Sequence, residues 1–141
     1  LTKETTRSGF LNVESFEKPW KYKINTLQNK IEKTESIDLV ETFNYLLGLF
    51  VKKIRTYKHN GVEYVVVYGN RNGSSQDTLI VWRDFDDSKL KEEKSFIEGS
   101  VIPDIYSDRS KPLEIFVNVD SYIEGAQSIE PIFKELMGVD L

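Results

Sequence analysis

Cysteine is absent from the chain and histidine occurs once, which narrows the possible chemistry. Without cysteine there are no disulfides and no thiolate metal sites. The single histidine, His59, falls in an expected turn, without the additional ligands of a zinc site or the partner that a general base needs. Gly69 and Gly73 fall in expected hairpin turns, at a spacing that matches no phosphate-binding loop. We therefore expect no metal, nucleophile or phosphate-loop chemistry from this chain.

Long apolar runs are missing as well. No stretch is long enough to span a bilayer, and residues 1–30 scatter Lys, Glu and Thr where a signal peptide needs an apolar segment. We expect a cytoplasmic protein, a location that the absence of cysteine fits. The chain begins with Leu1 and its only methionine is Met137, so we expect a fragment of a larger protein.

What the chain does contain is typical of one globular domain. Its 141 residues are 39% hydrophobic and 30% charged, which supplies enough apolar mass for a core. We predict a single domain, with an irregular lead-in over residues 1–35 and a compact core over residues 36–141. The formal net charge of −4 is uneven, since residues 1–58 carry a positive excess and residues 59–141 a negative one. This asymmetry indicates either one basic face or a chance distribution over solvated faces.

Hydrophobic periodicity predicts one clear helix and three strands in the first half of the core. Apolar residues from Leu39 to Phe50 recur at helical spacing, with Ser36 as a candidate N-cap and Gly48 as a candidate end. A period-two pattern over Trp20–Ile24 predicts a short strand before this helix. Three further strands are predicted at residues 50–58, 62–68 and 78–83, separated by turns at 59–61 and 70–73.

The second half predicts a helical crossover, a fourth strand and a last helix. Residues 84–99 read as a loop and a helix, with Asp86, Asp87 or Ser88 as the cap and Gly99 as the end. A loop over 103–112, a strand over 113–119 and a helix over 128–137 follow. The predicted fold is α/β, a mixed, mainly antiparallel sheet in the order helix, three strands, helix, strand, helix. The first three strands form a meander, and the crossover places the fourth parallel to the third.

This element order resembles the core of restriction-endonuclease-like nucleases, but without their catalytic residues. Those enzymes need an acidic residue on the second strand, then an acid and a Lys two positions apart on the third, to hold a metal and polarise water. The third strand here reads TLIVWR and contains neither. The acidic group Asp84, Asp86 and Asp87 beyond it is expected to be a helix-capping, solvated turn. A divergent nuclease stays an alternative function.

Five segments stand out in order along the chain: FLNVESFEKPWKYKIN at 10–25, IDLVETFNYLLGL at 37–49, TLIVWR at 78–83, IFVN at 115–118 and FKELM at 133–137. In this order and at these intervals, they resemble the C-terminal region of the modification subunit of type III restriction-modification systems. The most specific element is ETFNYLLGL, residues Glu41 to Leu49. The resemblance covers almost the whole chain, leaving out the first few residues and the loop over 100–112.

The resemblance implies a parent that transfers a methyl group from S-adenosylmethionine to the amino group of adenine in a specific DNA sequence. It also implies assembly with the rest of the methyltransferase chain, a second modification subunit and a helicase-endonuclease restriction subunit. Such enzymes use an (Asp/Asn)-Pro-Pro-aromatic motif and a Gly-x-Gly cofactor loop. This chain has no Pro-Pro pair and no Gly-x-Gly. We therefore expect a non-catalytic fragment without a cofactor of its own, preceded in its parent by the catalytic half.

Two groups of side chains are candidates for contact with partners. The first group is basic and is expected to contact the phosphates of duplex DNA or to blunt an exposed edge strand. Its members are Lys52, Lys53, Arg55, Lys58 and Arg71. The second group is a candidate docking or structural motif, which binds another subunit or is satisfied by internal hydrogen bonds. Its members are Glu41, Thr42, Asn44, Tyr45, Trp82 and Arg83.

Arg83 follows the apolar third strand and is expected to pair with Asp84 or Glu114, or to reach a ligand. The sequence thus leaves open a module for subunit assembly and an accessory DNA-binding module, with a divergent nuclease-like domain or a stand-alone DNA-binding domain as the alternative.

Overall fold

A five-stranded mixed β-sheet organises the part of the chain that the structure describes, residues 16–17, 39–106 and 113–138 of a computed structural model. The strands are β1 (Leu49–His59), β2 (Val62–Arg71), β3 (Asp77–Trp82), β4 (Leu113–Val117) and β5 (Ala126–Ser128). The helices are α1 (Leu39–Leu47), α2 (Leu90–Phe96), α3 (Ile102–Ile105) and α4 (Ile129–Met137). A 3₁₀ turn over Asp87–Lys89 precedes α2, and a π-helical turn over Ile97–Val101 joins α2 to α3.

The strand order β1-β2-β3-β4-β5 confirms the predicted α/β class and the predicted connections. β1, β2 and β3 form an antiparallel meander, and the helical crossover brings β4 parallel to β3. β5 was not predicted, and it pairs parallel to β4 just before α4. The predicted strand over Trp20–Ile24 and the predicted cap Ser36 lie outside the described residues.

The first hairpin is longer than predicted, because its strands pair up to the turn residues at both ends. His59 pairs with Val62, so the turn contains only Asn60 and Gly61, both at positive φ. Such a two-residue turn favours Asn-Gly, because both residues must adopt a left-handed backbone. At the other end β2 continues to Arg71, and the predicted turn over 70–73 narrows to the residues that follow it.

A β-bulge interrupts β1 at Lys52. Val51 pairs with Gly69 and Lys53 pairs with Tyr68, which leaves Lys52 without an opposite residue. A Cβ atom on Gly69 would collide with the carbonyl oxygen of Phe50. Only glycine lets the bulged backbone approach β2 so closely.

Helices cover the sheet on both faces. On one face, called the α1/α4 face, the Phe43 ring lies 5.5 Å from that of Phe116 and 5.9 Å from that of Phe133. On the other, the α2/α3 face, side chains of β2, β3 and β4 pack against Ile97, Val101 and related residues. All six residues of β3 are buried, as expected for a central strand covered on both sides.

Two predictions for the crossover are wrong, the helix end at Gly99 and the start of a loop at residue 103. Gly99 lies inside the π turn, and helical structure continues to Ile105. Pro103 lies in the first turn of α3. The reason is tertiary: the buried residues Ile97, Val101 and Ile105 recur every four positions and keep the segment against the sheet.

The helix caps are partly as predicted. Of the three candidates before α2, Asp86 is the cap, and it accepts from the Ser88 backbone N–H at 3.0 Å. Ser128 occupies the N-cap position of α4 but makes no capping hydrogen bond, and Gly138 ends α4 in a left-handed conformation. None of the helices in the described ranges is long and apolar enough to cross a membrane.

Candidate functional site

β1 is an exposed edge strand. In the part of the chain that the structure describes, it pairs only with β2, and none of its residues is buried. Large apolar side chains stand in solvent along it: Phe50 is 72% exposed, Ile54 52% and Val51 41%. A long edge strand that exposes apolar side chains is a template for pairing with another chain. β1 is therefore the candidate docking surface of the domain.

The two faces of the hairpin differ. On the α2/α3 face, the Tyr57 hydroxyl donates to Asp104 at 2.7 Å, and the His59 ring stacks on Phe96 at 4.2 Å. Burial, followed by the hydrogen bond and negative charge of Asp104, raises the pKa of Tyr57 to about 12. On the α1/α4 face, Ile54 lies opposite Val67 and stays exposed. The turn end of the hairpin is thus fixed to α2 and α3, while its other face remains open.

The five basic candidates are spread along the hairpin. Lys58 lies beside the turn and Arg71 pairs at the far end of β1, about 30 Å away for nine residues of strand. Lys52 lies 3.5 Å from Asp77, and Arg71 donates to Glu114 at 2.9 Å, so carboxylates neutralise both. Lys53 reaches the Ile105 carbonyl at 3.5 Å.

Three of the basic side chains have no carboxylate partner within the described ranges. Lys53, Arg55 and Lys58 are all exposed, and the Ile105 carbonyl that Lys53 reaches carries no charge. Arg55 donates only to the neighbouring Ile54 carbonyl, at 3.2 Å. The described part of the structure therefore presents three cations without a carboxylate partner and two charged pairs along the hairpin, not one compact basic patch.

Asp77 joins the first three strands near the bulge. It accepts hydrogen bonds from the Tyr68 hydroxyl, from Asn70 Nδ2 at 3.1 Å and from Lys52 Nζ at 3.5 Å. The Tyr68 hydrogen bond, helped by Asn70 and Lys52, holds the pKa of this carboxyl below its usual value despite burial. The Lys52 ammonium also lies 5.6 Å from the centre of the Tyr68 ring. Asp77 is therefore part of the support of the bulged edge.

A fully buried Arg83 forms the second polar cluster. Its Nε donates to Glu93 Oε2 at 2.6 Å and its Nη2 to Glu93 Oε1 at 2.9 Å, a two-point ion pair. Nη1 donates to Asn118 Oδ1 at 3.1 Å, and Nη2 donates to the Asp120 carbonyl at 2.7 Å. The ion-pair partner is thus Glu93, not Glu114, which binds Arg71 instead.

Asn118 extends this cluster to the start of the described chain. Its Nδ2 donates to the Phe16 carbonyl at 2.5 Å and to the Arg83 carbonyl at 2.7 Å. The Phe85 N–H donates to the Glu17 carbonyl at 2.8 Å. The network joins β3, α2, the segment after β4 and residues 16–17. With its donors and acceptors turned inward, it holds the fold together and offers no surface to a partner.

The remaining docking candidates separate by exposure. Tyr45, on the outer surface of α1, is 84% exposed, and Glu41 is exposed as well. Thr42 Oγ1, Asn44 Oδ1 and the indole N–H of the fully buried Trp82 are shielded from solvent and have no hydrogen-bond partner among the described residues. Such orphaned groups cost about 1–3 kcal/mol each. Tyr45 and Glu41 are accessible to a partner, whereas Trp82 is a core residue.

The acidic residues do not gather into a metal-binding group. Glu63 is exposed at the start of β2, Asp77 is held by its strand partners, and Asp86 caps the turn before α2. Over the ranges 16–17, 39–106 and 113–138, no three His, Cys, Asp or Glu side chains are placed to hold a metal ion together.

Comparison with known proteins adds no relative. No family model matches the chain, and no curated protein or solved structure matches it either.

Proposed function

We propose that this chain is a non-catalytic protein-docking module, the C-terminal part of a type III modification subunit. Its parent, in this proposal, is a cytoplasmic methyltransferase that uses S-adenosylmethionine to methylate adenine in DNA. One observation carries the docking role: β1 is an unburied edge strand on which Phe50, Val51 and Ile54 face solvent. The partner is the rest of the methyltransferase chain, a second modification subunit or the restriction subunit.

The charges along the hairpin favour a protein partner over duplex DNA. Nonspecific DNA affinity comes from cations that neutralise phosphates, and each carboxylate already paired with a cation reduces that effect. Lys52 and Arg71 are engaged by Asp77 and Glu114, which leaves only Lys53, Arg55 and Lys58 without a carboxylate partner among the described residues. Exposed Phe and Ile side chains contribute to protein interfaces and little to phosphate binding.

The likeness to the restriction-endonuclease-like core is part of the same proposal. Its support is the element order, with a β1-β2-β3 meander followed by a helical crossover to a parallel β4. A nuclease would require carboxylates and a Lys on neighbouring strands. β3 offers only Asp77, which Tyr68 and Asn70 engage, so the proposed relation is one of architecture without catalysis.

The decisive experiment measures association with the two candidate protein partners. The chain is mixed with the restriction subunit of the same system, and separately with a methyltransferase chain that lacks this domain, and complexes are detected by sedimentation velocity. We expect a complex with at least one of them. Phe50→Ser/Ile54→Ser should weaken it at least tenfold, because both side chains lie on the proposed contact strand.

Tyr122→Ser is the matched control, since Tyr122 is another exposed aromatic residue, outside β1. Duplex DNA binding is measured in parallel at low and high salt, with Lys52→Ala/Lys53→Ala/Arg55→Ala as the comparison. Absence of a complex with either protein would overturn the docking proposal. DNA binding that collapses with salt and with the triple substitution would replace it by a DNA-contact role.

A further inference from the structure

We infer that β1 binds its partner by strand addition, and that the added strand is an extended, acidic segment of a partner protein. The inference rests on the proposed docking function and specifies its geometry and chemistry. In an edge strand, alternate residues direct their N–H and C=O groups away from the sheet. β1 has eleven residues, and β2 is its one strand neighbour in the ranges that the structure describes. Another strand can therefore extend the five-stranded sheet on this side.

The charge of β1 selects the partner. β1 contains Lys52, Lys53, Arg55 and Lys58 and no acidic residue, within a chain of net charge −4. A second copy of the chain would pair β1 with β1, which sets basic residues against basic residues and is destabilising. Edge lysines also reject neutral strands that would otherwise aggregate. An acidic strand is stabilised in the same position, because its carboxylates lie opposite the cations of β1.

The register with β2 assigns side chains of β1 to the two faces. Arg55 lies opposite Val66 and belongs to the α2/α3 face. Ile54 lies opposite Val67, and Lys58 opposite Glu63, so both belong to the α1/α4 face. An added strand thus meets a cation on each face, with an apolar side chain beside one of them. The matching segment alternates acidic and apolar residues, with its acidic side chains on the face of Arg55 and its apolar side chains on the face of Ile54.

The bulge limits the register. At Lys52 the backbone of β1 departs from regular pairing with β2, and the Phe50 carbonyl lies close to Gly69. A regular ladder on the free edge is interrupted at such a point. The usable edge runs from Lys53 to His59, the part that carries Arg55, Lys58 and Ile54. Pairing is thereby confined to a short segment.

The probes are labelled ten-residue peptides, tested by fluorescence anisotropy on the whole chain. One alternates Glu and Val, and a second alternates Lys and Val. Two more repeat the Glu-Val sequence with N-methyl groups on the Glu amides or on the Val amides. The affinity of the Glu-Val peptide should fall as the salt concentration rises. The Lys-Val peptide should bind at least tenfold more weakly than the Glu-Val peptide. At least one methylated peptide should lose tenfold in affinity, because methylation removes ladder donors and leaves the charge unchanged.

Charge reversal on the protein provides the second test. Arg55→Glu/Lys58→Glu should weaken Glu-Val binding at least tenfold and turn the preference toward the Lys-Val peptide. Lys91→Glu is the control, since Lys91 is an exposed cation on α2 and not part of β1. Hydrogen exchange should show new protection of β1 amides when the Glu-Val peptide is bound.

Three results would overturn the inference. Binding of both methylated peptides as tightly as the unmodified Glu-Val peptide would replace strand addition by contact through side chains. Absence of any peptide binding would contradict the inference that the partner supplies an acidic strand. A protein complex in sedimentation would in that case still support the docking module. Self-association of the chain that Arg55→Glu/Lys58→Glu strengthens would identify a second copy as the occupant of β1.

Discussion

Replacing one member of the buried Arg83–Glu93 pair should destabilise the domain far more than replacing both. Glu93→Leu leaves the guanidinium in a site where only 1% of its side chain is exposed. Arg83→Met leaves the Glu93 carboxylate with the Tyr64 hydroxyl, at 3.5 Å, as its remaining partner among the described residues. Removing one end of a buried pair costs about 3–5 kcal/mol, because the other charge stays desolvated. We expect each single variant to lose about 4 kcal/mol of unfolding free energy.

The double variant Arg83→Met/Glu93→Leu removes both charges and substitutes apolar volume. The Asp120 carbonyl loses its donor, whereas Asn118 Oδ1 keeps the backbone N–H of position 83 at 3.1 Å. One or two lost hydrogen bonds, at about 1 kcal/mol each, give an expected loss of about 2 kcal/mol. That loss is far below the sum of the two single losses, so the double-mutant cycle should show strong coupling.

Urea unfolding, followed by tryptophan fluorescence and extrapolated linearly to water, measures all four proteins. A constant concentration of a stabilising osmolyte keeps the single variants folded, since a small domain has only about 5–15 kcal/mol to lose. The Glu130–Lys134 pair on α4, at 3.0 Å and partly exposed, is the control, with an expected coupling of about 0.5 kcal/mol. Single losses below about 1 kcal/mol, or additive losses, would refute the reasoning.

Three further outcomes are expected. Gly69→Ala should cost about 2 kcal/mol or more by urea unfolding, because its Cβ would collide with the Phe50 carbonyl, and an unchanged midpoint would contradict the bulge. Asp77→Asn should lower stability at neutral pH, and the deficit should shrink as the pH falls below about 4. Because the pKa of Asp77 is lowered in the fold, its ionised carboxylate adds to the free energy of unfolding, and protonation removes that addition. A deficit in thermal stability that does not change with pH would refute this. Phe50→Ser/Ile54→Ser should change the unfolding free energy by less than about 0.5 kcal/mol, since both side chains are solvated, and a larger loss by urea unfolding would show that they pack inside the fold.

The sequence was informative wherever a local pattern determines the structure. Helical spacing located α1, the Asn60-Gly61 pair located the first turn, and the apolar run of β3 indicated a central strand. Each of these features depends on residues within a few positions of each other. The meander and the parallel β4 followed from turn lengths and the crossover rule.

The errors arose where tertiary packing overrides a local signal. Gly99 and Pro103 were interpreted as a stop and a loop, yet Ile97, Val101 and Ile105 keep the segment helical. Their spacing of four residues was the signal that would have corrected the prediction. β5 has only three residues and no alternating pattern, so pairing with β4 alone identifies it as a strand.

The site was predictable only in part, because its partners are distant in sequence. Arg83 stood out at the end of an apolar strand, but its pairing with Glu93 and Asn118 depends on how α2 and the end of β4 approach β3. The basic residues of the hairpin were visible, whereas the pairing of Lys52 with Asp77 requires the bulge. The adjacent lysines at 52 and 53 break the alternation of β1, and this was the available sign of a bulge.

Arg83 and Asn118 directly follow the carboxyl ends of the parallel strands β3 and β4. Open α/β sheets commonly receive small ligands in the crevice at such strand ends. In this protein the Arg83 guanidinium, bound to Glu93 and Asn118, lies at these strand ends. The proposed partner contact lies elsewhere, along the edge strand β1, and does not involve the strand ends at which α/β sheets commonly bind small ligands.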